Sequence, residues 1–149
     1  MFWEPLRAML VLRRGGVIKK GKTLEQVVML AQKEKVQLDP DRLGELYAQL
    51  GQAGAEDVVC RAMEELAVRL SHTERLYRQG MMGDMRKSAR SLVAISDQIG
   101  MHMLARVAKD VTHCIDDGDG PALAATLTRL LRIGEESLTA IWNLQDLSI

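Results

Sequence analysis

Aromatic residues make up only 3% of this 149-residue chain, and proline and cysteine are scarcer still, with three and two copies. Few aromatics beside many Leu, Ala, Val and Met argue against a sheet protein, because straight-chain apolar residues suit helices while aromatics favour strands. No alternating apolar–polar run of four or more residues is bounded like a strand. The two cysteines, Cys60 and Cys114, have no CxxC spacing. They exclude a disulfide framework and read as reduced, buried small hydrophobes. HExxH, acidic calcium loops, GxGxxG, GxxxxGK[ST] and GxSxG are all missing, so nothing calls for a metal, a nucleotide cofactor or a hydrolase nucleophile. No segment is long and apolar enough to span a bilayer. The N-terminus lacks a positive region followed by a small-residue cleavage site. The expectation is a cytoplasmic, non-enzymatic protein with no membrane contact and no cofactor.

What is present is a charge asymmetry and a series of amphipathic segments. Residues 1–37 carry eight Lys/Arg against three Asp/Glu, whereas 38–149 carry twelve against seventeen. This separates a basic N-terminal extension from an acidic body. The extension reads as an apolar helix over 2–12 containing Phe2 and Trp3, stopped by Gly15 and Gly16. A basic turn around Lys19, Lys20 and Lys22 follows, then a second helix started by the Thr23/Gln26 capping box.

In the body, Asp39 and Pro40 mark a helix start, Asp as N-cap and Pro at the first helical position. Leu43, Leu46, Tyr47 and Leu50 then recur at helical spacing, before Gly51 and Gly54 interrupt. A long helix runs to Gly80 with Val59, Met63, Leu66, Leu70 and Tyr77 on one stripe. The next carries Met85, Ala89, Leu92, Ser96 and Ile99 inward and ends at Gly100. Leu104, Val107, Val111 and Ile115 line a third helix, stopped at Gly118–Pro121. Leu123, Leu127, Leu130, Leu138 and Ile141 line the last. Long amphipathic helices joined by short glycine turns place sequence neighbours antiparallel. The expected fold is therefore an all-α antiparallel four-helix bundle over 38–149, with an N-terminal helical extension over 1–37.

One helix bears a motif-like pattern: Ala89, Leu92, Ala94, then Ile99-Gly100 and Leu104, with Gly118-Asp119 closing the following helix. Residues 38–143 thereby resemble the histidine phosphotransfer (Hpt) domains, helical bundles that relay phosphoryl groups between receiver-domain aspartates in bacterial two-component phosphorelays. That family's helix reads Ala-His-x-Leu-Lys-Gly, and here the phosphoacceptor histidine is replaced by Arg90 and the helper lysine by Val93. A guanidinium stays protonated and offers no lone pair for phosphoryl attack. The resemblance thus implies a degenerate member that binds a receiver domain or related signalling protein without carrying phosphate.

Opposite the inward stripe of that helix lie Arg86, Arg90, Val93, Ala94 and Asp97, with Lys87 beside them. Small and apolar residues at the centre with charges at the rim suit a partner-binding face, although exposed Val and Ala are also ordinary surface residues. Among the histidines, His72 is the first candidate for a displaced phosphoacceptor in an active alternative. His102 opens a helix, where the dipole disfavours an imidazolium, and His113 lies near a helix C-terminus, where a cation is favoured. The basic turn Arg13–Lys22 offers nucleic acid only phosphate contacts and has no aromatic to stack, so nucleic-acid binding is not expected. The apolar first helix either completes the core or packs on a second copy as a homodimer. A scaffold unrelated to phosphorelays is the remaining alternative.

Overall fold

The computed structural model describes residues 36–146, with side chains to 143. The expectations placed on 1–35 (the Phe2/Trp3 helix, the basic turn, the capping-box helix and the dimer they suggested) lie outside the described residues. Four helices follow: α1 (Pro40–Arg78), α2 (Met82–Gln98), α3 (His102–Asp117) and α4 (Gly120–Asp146). Among the described residues there is no strand, and no helix is long and apolar enough to cross a membrane. The body is an all-α four-helix bundle. α1 packs on α2, α2 on α3 and α3 on α4, and α4 closes the ring on α1.

Local chemistry fixes the helix ends. Asp39 caps α1, its Oδ1 accepting from the Asp41 N–H at 3.0 Å and the Arg42 N–H at 3.3 Å, with Pro40 in the first turn, where its missing N–H costs nothing. Asp119 does the same for α4, accepting from the Ala122 N–H at 3.1 Å. The 39 residues of α1 are not one straight helix: Gly51 leaves helical geometry (φ 71°, ψ 173°) and breaks it. Gly54, which the sequence pattern also marks as an interruption, is helical.

The core is where the periodicity puts it. Met85, Ala89, Leu92 and Ile99 of the α2 segment, Leu104, Val107 and Val111 of α3, and Leu130, Ile133 and Ile141 of α4 are buried against Met63, Leu66 and Leu70 of α1. Each fully buried Leu or Ile contributes about 1.5–3 kcal/mol through the apolar area it removes from water. Several expectations are corrected. Tyr47 and Leu50 are exposed, because the Gly51 break gives the stretch before it a different phase from the stripe after it. Tyr77 and Ile115, at helix ends, are only half-buried. The two cysteines are free but half-buried rather than buried.

Two close contacts tie the helices together. Gly134 of α4 sits where an added Cβ would lie 2.6 Å from Leu70 Cδ1, so its bare backbone lets α4 seat on α1. Between α1 and α2, Thr73 Oγ1 and Ser88 Oγ are 2.7 Å apart in a buried hydrogen bond. Thr73 already donates to the Arg69 carbonyl at 2.7 Å, and a hydroxyl has one proton, so Ser88 is the donor between them.

Candidate functional site

α2 and α3 are joined by a short turn, and on the side away from the core they leave a groove of about 610 Å³ between them. The α2 wall is Arg86, Arg90, Val93 and Ala94; the α3 wall is Lys109, Thr112, His113 and Asp116. The α2 residues arise as the stripe opposite Met85, Ala89, Leu92 and Ser96, which are buried. The α3 residues recur at i, i+3, i+4 and i+7, opposite Leu104, Val107 and Val111, so they too form one face.

One ion pair spans the groove. Arg86 Nε and Nη2 donate to the two Asp116 oxygens at 2.7 and 3.0 Å. A forked guanidinium–carboxylate contact fixes geometry as well as charge. This bond raises the Arg86 pKa further above its ordinary value. It also lowers that of the Asp116 carboxyl. Arg90 and Lys109 are exposed, and their side chains make no hydrogen bond or salt bridge among the described residues. His113 is exposed on the same groove. Val93 and Ala94 add an apolar stretch to its α2 wall, and Thr112 turns its hydroxyl proton to the Lys109 carbonyl at 2.6 Å.

Four of the six partner-face residues expected from the sequence therefore meet in one groove: Arg86, Arg90, Val93 and Ala94. The other two do not line it. Lys87 is largely exposed and lies 3.9 Å from Asp84. Asp97 is engaged elsewhere, its Oδ1 3.1 Å from His102 Nδ1. His72 is half-buried on α1 and does not line the groove. The α3 wall was missed, although its own stripe spacing could have revealed it.

A second polar cluster lies at the end of the bundle near the α2–α3 turn. His102 Nε2 is 2.8 Å from Asp39 Oδ2, while its Nδ1 faces Asp97. Two carboxylates on two ring nitrogens require both nitrogens to donate, which only the imidazolium can do. The His102 pKa is accordingly raised, first by the bond to Asp39 and then by that to Asp97, and His102 in turn lowers that of Asp39. This corrects the expectation that the helix terminus would disfavour a charged His102: two specific carboxylates outweigh a partial dipole charge. Around it the Asp39 N–H donates to the Gly100 carbonyl at 2.9 Å and Arg42 Nε donates to the Gln98 carbonyl at 2.9 Å. The start of α1 is thereby clasped to the α2–α3 turn.

Among the described residues no three His, Cys, Asp or Glu side chains are grouped to hold a metal ion. No protein-family model matches the chain, and no curated protein or solved structure matches it either.

Proposed function

We infer that this protein is a docking module of the Hpt type that binds a receiver domain, or a related signalling partner, through the α2–α3 groove and carries no phosphate of its own. The observation that supports the reading is the placement of Arg90. It stands where the resemblance puts the phosphoacceptor, on the wall of a groove that also carries the apolar Val93 and Ala94 and the cations Arg86 and Lys109. Such a face suits a partner whose own surface combines apolar and acidic groups. An arginine at that position binds anions but does not accept a phosphoryl group.

The test mixes the full chain with purified receiver domains from the same organism and reads both complex formation and label transfer from phosphorylated receivers. The reading expects a complex without label. Arg90→Glu or Val93→Glu is expected to abolish the complex while leaving the helical circular-dichroism signal intact. Label on the chain would overturn the non-carrying part of the reading. A complex indifferent to both substitutions would overturn the groove as its site.

A further inference from the structure

The first turns of α1 are attached to the bundle differently from the rest of the helix. Over residues 40–50 only Leu46 is buried, whereas beyond Gly51 buried side chains recur at every turn from Ala55 to Leu76. Gly51 separates the two parts with φ 71° and ψ 173°. An added Cβ there would meet nothing within 4 Å, so the joint stands in open space. A helical segment with one buried side chain and a break at its end belongs to the low-stability part of a fold, where local opening is least costly.

What holds 40–50 in place is therefore the clasp at its other end. Two of its ties do not titrate: the Asp39 N–H donates to the Gly100 carbonyl and Arg42 Nε to the Gln98 carbonyl, each at 2.9 Å. The third is His102, whose Nε2 lies 2.8 Å from Asp39 Oδ2 and whose Nδ1 lies 3.1 Å from Asp97 Oδ1. The His102 side chain is 53% exposed, so protons of the bulk solvent reach it. Asp39 of α1 and Asp97 of α2 are the charged groups that face it. Arg42 is turned to Gln98 and to Glu45, and Asp41 and Arg106 are exposed. Among the described residues no other charged group of the four helices bonds to the ring.

With both ring nitrogens protonated, each carboxylate accepts one N–H. A neutral imidazole keeps a single donor, so one carboxylate then faces a lone pair, and the attraction of a cation for both is gone. We propose that residues 40–50 form a proton-controlled arm, held on the α2–α3 turn by imidazolium His102 and released about Gly51 when His102 becomes neutral, with Leu46 uncovered as the arm leaves. The raised pKa of His102 and the lowered pKa of Asp39 give the direction. The closed arm binds the proton more tightly than the open one, so closure is complete below about pH 6.5 and weakens as pH rises through the closed-state value. Neither the α2–α3 groove nor a partner enters this device.

Amide hydrogen exchange of the full chain, followed by NMR at about pH 5.5 and about pH 8.5, on either side of the ordinary imidazole value, tests it. The Leu46, Tyr47 and Leu50 amides are expected to exchange well before those of Leu66 and Leu70. Their exchange should depend little on sub-denaturing urea, because opening the arm exposes little surface. Their protection factors are expected to fall about threefold or more from the lower pH to the higher, the weight of one solvent-exposed ion pair. In His102→Gln, neutral at both values, the fall should vanish. Asp97→Asn, which leaves the α1 cap intact, should reduce it and carries the same test should His102→Gln not fold. His72→Gln, on α1 beyond the break, should leave it as in the wild type. Arm amides that exchange only together with the core and with its urea dependence would overturn the arm. So would equal protection at the two pH values, or a fall that survives His102→Gln.

Discussion

Replacing Gly100 by alanine tests how the bundle holds its first helix. Gly100 has φ +79°, and a Cβ there would lie 3.0 Å from Asp39 Cβ and 3.1 Å from the Asp39 carbonyl oxygen. The left-handed backbone alone costs an L-residue about 1–2 kcal/mol. The close neighbour is not a loose side-chain tip: the Asp39 carbonyl accepts the Leu43 N–H at 3.2 Å, and its side chain caps α1. Moving it weakens that cap, worth about 0.5–2 kcal/mol. The total comes to about 1.5–4 kcal/mol. Gly80 supplies the control. It has φ +71°, but an added Cβ would meet nothing within 4 Å, so Gly80→Ala should cost only the about 1–2 kcal/mol of backbone strain. Urea denaturation of both variants measures the difference, which is expected to be about 0.5–2 kcal/mol in favour of Gly80→Ala. A second signal should accompany it. With Asp39 displaced, the His102 imidazole should titrate closer to its ordinary value of about 6.5 by NMR. Equal losses in the two variants, with an unmoved His102, would refute the claim that Asp39 is pressed against Gly100.

Other perturbations follow from the same contacts. His102 has its pKa raised, so the clasp's contribution is complete below about pH 6.5 and is lost as pH rises through the folded-state value. Asp39 is lowered from 3.8, so its share is present above that pH and is lost only in stronger acid. The stability gap between the wild type and His102→Gln should thus be larger at pH 5 than at pH 9 in urea titrations; a gap independent of pH would dismiss the two-carboxylate arrangement. Thr73→Val removes the acceptor for the Ser88 proton inside the core and is expected to cost about 1–3 kcal/mol. The double change with Ser88→Ala should recover part of this, which a double-mutant cycle would show. Leu92→Ala, at a fully buried position, is expected to cost about 2–5 kcal/mol by thermal or chemical denaturation. Val93→Ala next to it, half-buried on the groove, should cost far less stability while weakening any complex.

The sequence made some of this legible and left the rest hidden for physical reasons. The inward stripe of α2 was readable because burial repeats with the helix period, and its complement, Arg86, Arg90, Val93 and Ala94, came with it. The α3 stripe was readable from its own spacing, but that it faces Arg90 and Val93 was not, because which turn of α3 faces which turn of α2 is decided by packing between helices rather than by either helix alone. His102 was read from its place in its own helix, yet its decisive partner, Asp39, is 63 residues away. Tyr47 and Leu50 were read on one helical spacing with Leu43 and Leu46, a pattern that marks a buried stripe only while the helix is continuous, and Gly51 ends that continuity. Asp97 was grouped with the groove by helix phase, but a hydrogen bond to the next helix drew it to the clasp.

The seating of Gly134 against Leu70 has a consequence for how the chain reaches this state. Three of the four helix seams join neighbours in sequence, and such local contacts form quickly because little loop entropy is lost in making them. The α1–α4 seam alone brings together segments separated by the other two helices. It is the last link in an otherwise short-range assembly, and it closes where α4 has no side chain to hold it off. Enlarging residue 134 should therefore act chiefly on escape from the finished bundle, quickening unfolding while leaving the rate of first assembly nearly unchanged.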